Sequence, residues 1–140
     1  MAMKSLFAAV LVVVAGAMPA NATCIQSNIA GTWVAFITST TKGDSALFGC
    51  ALVIKASGNI NNANCVFQST DRPNTGLSLL TKGNMLLDNA SKCTFIGRFT
   101  LGTAKSTKFG GVMSKEKTIF EGVGIAPYGY GYIKITLVKQ

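Results

Sequence analysis

The chain has 140 residues, with 13 Lys+Arg against 5 Asp+Glu, four cysteines and no histidine. Without histidine, His-based acid–base pairs and triads are excluded, and the commonest metal ligand is missing. A net charge of +8 favours polyanionic partners.

Met1–Ala22 reads as a secretory signal peptide. Lys4 supplies the positive start, Leu6–Ala15 the apolar run and Ala20-Asn21-Ala22 a small-x-small cleavage site. The run is shorter than the ~20 apolar residues that span a bilayer, and no later stretch qualifies. The expectation is a secreted or periplasmic protein whose residues 23–140 form one domain, with no transmembrane segment. Removal of the leader takes Lys4 with it and leaves +7.

In chain order, Thr23–Asn28 suits one helical turn. Short runs rich in Val, Ile, Phe, Thr and Tyr follow, near Thr32–Ser39, Leu47–Ala56, Ile60–Gln68, Gly76–Leu80, Asn84–Asp88, Thr94–Leu101, Gly110–Ser114, Thr118–Ile125 and Gly131–Val138. Turn signals such as Lys42-Gly43-Asp44, Ser57-Gly58-Asn59, Pro73-Asn74-Thr75-Gly76 and Lys82-Gly83-Asn84 separate them. This spacing predicts an all-β antiparallel meander, either a barrel or an open β-sandwich. Alternation predicts one apolar face per strand. Phe95, Gly97, Phe99 and Leu101 oppose Ile96, Arg98 and Thr100, and Ile133, Ile135 and Leu137 oppose Tyr132, Lys134 and Thr136. Gly58-Asn59-Ile60 before Cys65 and Gly83-Asn84-Met85 before Cys93 read as two similar hairpins.

Four cysteines in an exported chain predict two disulfides. No C-x-x-C pair is present to suggest a metal site. A two-residue turn at Ser57-Gly58 sets Cys50 opposite Cys65, which pairs those two and leaves Cys24 for Cys93, whereas a one-residue bulge would set Val66 opposite Cys50 instead.

Bridged cysteines leave no thiol nucleophile. Asp44, Asp71, Asp88 and Glu116 fall in turns, and Glu121 reads as an outward strand charge. Ser39-Thr40-Thr41-Lys42 matches Ser-x-x-Lys but sits at a strand end, without the helix that chemistry needs. No Gly-x-Ser-x-Gly or phosphate loop occurs. The expectation is a protein that is not an enzyme, with no cofactor and no metal. The feature with binding chemistry is Tyr128-Gly129-Tyr130-Gly131-Tyr132. Extended, it aligns Tyr128, Tyr130 and Tyr132 on one face as a rim platform, with Arg98 a candidate basic partner. Export argues against nucleic acid as the partner.

Ile29-Ala30-Gly31-Thr32-Trp33, leading into a strand, resembles the Gly-x-Trp start of the calycins, the superfamily of lipocalins and avidins. The resemblance implies an eight-stranded up-and-down barrel. It also implies that Trp33 packs at the closed end beneath a basic residue of the last strand, Lys134 or Lys139, where calycins usually carry Arg. Thr70-Asp71-Arg72 departs from the lipocalin Thr-Asp-Tyr signature, and Trp33 stands without the further pocket tryptophans of avidins. Two functions follow as expectations. One is a non-catalytic, disulfide-stapled barrel that holds a small apolar or amphipathic ligand. The other is a structural or interaction protein of the cell envelope that binds polyanions or another protein through its basic surface. Large inward side chains would favour the second, and small ones lining a wide end the first.

Overall fold

The structure, a computed structural model, describes residues 23–41, 44–69, 76–101, 106–125 and 131–140. The leader expected at Met1–Ala22 lies outside the described residues. A 3-10 turn, Gln26–Ile29, precedes the strands, slightly later than the turn expected at Thr23–Asn28. The strands are β1 (Gly31–Thr41), β2 (Asp44–Ile54), β3 (Asn59–Ser69), β4 (Gly76–Asn89), β5 (Thr94–Leu101), β6 (Thr107–Met113), β7 (Ile119–Ile125) and β8 (Gly131–Lys139). Each pairs antiparallel with its sequence neighbours, and β8 closes onto β1 to make an eight-stranded up-and-down barrel. Closure gives every strand a neighbour on both sides and removes the two sheet edges. No helix among the described residues is long and apolar enough to cross a membrane.

Two segments expected as separate strands, Gly76–Leu80 and Asn84–Asp88, are one strand. Lys82-Gly83-Asn84 is not a turn. Gly83 pairs with Ile60 on one side and Phe99 on the other. A Cβ at Gly83 would lie 3.0 Å from the Ile60 side chain, so glycine is there for close packing rather than for chain reversal. The ladder to β5 slips between Leu80 and Lys82, where the strand takes up an irregularity. The two hairpins expected to resemble each other do not, because Gly58 lies in a turn and Gly83 in mid-strand. The segments instead face each other, Asn59 opposite Asn84.

The disulfides are Cys24–Cys93 and Cys50–Cys65. Cys50 and Cys65 are direct cross-strand partners, but not by way of a two-residue turn. The Lys55 N–H donates to the Asn59 carbonyl and the Gly58 N–H to the Lys55 carbonyl, which closes a three-residue loop with Gly58 at φ +89°. That loop alone would set Cys50 against Asn64. Between Ala51/Asn64 and Val53/Asn61, two residues of β3 oppose Leu52, and this bulge restores the cysteine pairing.

Inward residues form one core, including Trp33, Ile37, Leu52, Ile54, Met85, Phe95, Phe99, Phe109, Phe120, Ile135 and Leu137. One end of this core is sealed. Trp33 is fully buried, and its indole N–H donates to the Ile29 carbonyl at 2.8 Å. The 3-10 turn is tied down by the Cys24–Cys93 bridge and by the Gln26 amide. That amide donates to the Met85 carbonyl at 2.9 Å and accepts from the Leu87 N–H at 2.6 Å. Beyond Asn84 the regular β3 ladder ends: the Met85 N–H donates to the Gly58 carbonyl at 2.9 Å, and Gln26 takes up the Met85 carbonyl and the Leu87 N–H.

Candidate functional site

Inward glycines decide how much room the barrel holds. Gly97, Gly111 and Gly122 point inward between large neighbours, and in each case a ring takes the place of the missing side chain. A Cβ at Gly97 would meet Phe109 Cζ at 2.6 Å, one at Gly111 would meet Phe120 Cζ at 2.6 Å, and one at Gly122 would meet Phe120 Cε1 at 2.8 Å. Phe109 packs against Phe99 and Phe120, with ring centres 5.7 and 6.1 Å away. The buried Cys50–Cys65 bridge occupies the opposite wall. Small positions and large rings therefore interlock along β5 to β7.

Chemistry on this molecule is concentrated outside. The register of β4 to β8 sets two rows of outward residues side by side. One runs Asn84, Arg98, Lys108, Ile125, Tyr132, each directly across a ladder from the next. The other runs Leu86, Ile96, Gly110, Val123, Lys134. Two open furrows lie over the β4–β5–β6 part of this face. One, of about 380 Å³, is lined by Asn84, Leu86, Ile96, Arg98 and Lys108 among others. The second, of about 330 Å³, includes Lys82, Asn84, Arg98 and Thr100. Arg98 serves both, and neither furrow is lined by a carboxylate. Arg98 and Lys108 are exposed and directly opposed, an arrangement of like charges that disfavours the sheet unless an anion sits between them.

Of the residues expected to bind, Arg98 and Tyr132 are both exposed on this face. They are not neighbours, since Lys108 and Ile125 separate them in the row. Tyr128 and Tyr130 lie outside the described residues. Lys134 is corrected. It is exposed on the outer face opposite Val123 and Thr38, and takes no part in covering Trp33. The residue above the indole is Lys139, because inward and outward positions alternate and only odd positions of β8 face the core. Sequence reasoning does not single out Lys82, Val123 and Ile125 as a site. Their signal was the mixed outer side of each strand.

Ser39–Thr41 is strand, so the Ser-x-x-Lys pattern has no helix to act on. No group of His, Cys, Asp and Glu among the described residues could hold a metal ion. Charged residues Arg98, Lys108, Glu121 and Lys134 all face outward.

No protein-family model matches the chain, and no curated protein matches it.

Proposed function

We propose that this protein is a non-catalytic interaction protein that binds anionic partners through the outer face of β4 to β8. The observation that carries the reading is the pairing of Arg98 with Lys108 beside Lys82, with no carboxylate in either furrow. Interlocked rings and glycines support it from the other side, since along β5 to β7 they give the inward space to the protein's own side chains. Two disulfides suit an oxidising compartment, which agrees with export. A calycin-like barrel accords with the Gly31-x-Trp33 start, the closed eight-stranded meander and Lys139 over the indole.

Retention on a heparin column, read as a function of salt, tests the proposal. The protein is expected to be retained at physiological salt, and the double variant Arg98→Gln/Lys108→Gln to elute much earlier with its melting temperature unreduced. Equal elution of variant and parent would overturn the reading. So would native mass spectrometry of protein from its own host that shows a small apolar molecule held inside.

A further inference from the structure

Resting on that reading, we propose that the partner of this face is the surface of a bilayer rich in anionic lipid. Charge alone would suit any polyanion, but the face is not charged alone. Tyr132, Val123 and Ile125 are 78%, 67% and 63% exposed, the three most exposed large apolar side chains among the described residues. They form one patch. Ile125 is directly opposite Tyr132, and Val123 is two residues from Ile125 on the same face of β7.

Basic residues flank this patch on both sides. Lys108 of β6 opposes Ile125, and Lys134 of β8 opposes Val123. Arg98 continues the row beyond Lys108, and Ile96 with Leu86 extends the apolar surface alongside. Glu121 stands at the margin, two residues from Val123. A soluble polyanion offers such valine and isoleucine side chains nothing to be buried in. The boundary between lipid headgroups and acyl chains takes both components. Apolar tips and the tyrosine ring enter the interface, while Lys and Arg stretch their stems along it and keep their heads among phosphates. A second copy of the chain fits worse, because the patch would bring its own uncompensated cations against each other.

Sedimentation with phosphatidylcholine vesicles, with and without phosphatidylglycerol, tests this alongside the heparin column. At physiological salt the protein is expected to sediment with vesicles that contain phosphatidylglycerol and not with pure phosphatidylcholine. Val123→Ser/Ile125→Ser is expected to weaken vesicle binding about tenfold or more while leaving heparin retention unchanged. Both positions are exposed, so an unchanged melting temperature confirms that the variant is folded. Heparin retention without vesicle binding overturns the bilayer proposal and leaves the polyanion reading standing. Failure of both overturns both. A dimer that the Val123→Ser/Ile125→Ser variant dissolves would assign the patch to a second copy and likewise overturn the proposal.

Discussion

Lys139 stands directly across the β1–β8 ladder from Trp33, with its Nζ 5.4 Å from the centre of the indole. The same ammonium donates to the Asn28 carbonyl at 3.3 Å, and its stem lies where a side chain at Gly31 would be, 2.8 Å from that Cβ position. Trp33 in turn holds the Ile29 carbonyl. First strand, last strand and the 3-10 turn are thus fastened at one point, which is what closes this end of the barrel.

Trp33→Ala is expected to cost about 3–5 kcal/mol, since it opens a large cavity and frees the Ile29 carbonyl. Lys139→Met, which keeps most of the stem but loses the charge above the ring, is expected to cost no more than about 1–2 kcal/mol. Denaturant unfolding of both variants checks the order. A Lys139→Met loss as large as that of Trp33→Ala would refute the account of the lysine as a cover rather than a keystone.

The two disulfides differ in what they close. Cys24–Cys93 spans 69 residues and Cys50–Cys65 spans 15. Chain entropy alone then makes the longer one more stabilising by about 1.4 kcal/mol. It also anchors the 3-10 turn, so Cys24→Ala/Cys93→Ala should expose Trp33 and the β4 positions bonded to Gln26. The expected readouts are a larger loss of stability than for Cys50→Ala/Cys65→Ala, and faster amide exchange at Leu87. An equal or smaller loss would mean that the cavity left inside the barrel outweighs the entropy term.

Glycines sort by what surrounds them. Gly122→Ala would place a methyl 2.8 Å from Phe120 and 3.0 Å from the Gly110 carbonyl, and Gly97→Ala would place one 2.3 Å from the Asn84 carbonyl. Both should destabilise by about 1–3 kcal/mol or fail to fold, as overpacking does. Gly49→Ala meets nothing within 4 Å and should be neutral or slightly stabilising, because it restricts the unfolded chain. Thermal melts of the three variants distinguish these outcomes.

Much of the fold was legible because its rules are local. Period-two alternation reports inside and outside correctly over Thr94–Thr100 and Gly131–Val138, and turn spacing reports a meander. Lys82-Gly83-Asn84 misleads because its composition is that of a turn, while its reason lies in Ile60 on the next strand. Cys50 meets Cys65 because two offsets cancel, a loop one residue longer than a two-residue turn and a bulge on β3. Lys139 rather than Lys134 covers Trp33 by parity, which a boundary placed at Val138 obscured. The candidate site was harder. Each strand shows its own outer residues, but that Arg98, Lys108, Ile125 and Tyr132 stand abreast depends on the register of four strands at once.

That register makes one prediction in which stability and binding move in opposite directions. Arg98 and Lys108 are the same sign and directly opposed, and no carboxylate lines the furrow they share. Like charges so placed weaken a sheet, and salt or a bound anion relieves them. Lys108→Gln should therefore raise the melting temperature slightly at low ionic strength, with the gain fading as salt is added. The same variant should lose affinity for heparin and for phosphatidylglycerol vesicles. A residue retained for folding would behave the other way, its loss lowering stability at every salt concentration. Melting curves of parent and Lys108→Gln across a salt series separate the two. A stabilisation that disappears with salt identifies a repulsive pair held in place for an anion, and a salt-independent loss identifies a structural lysine.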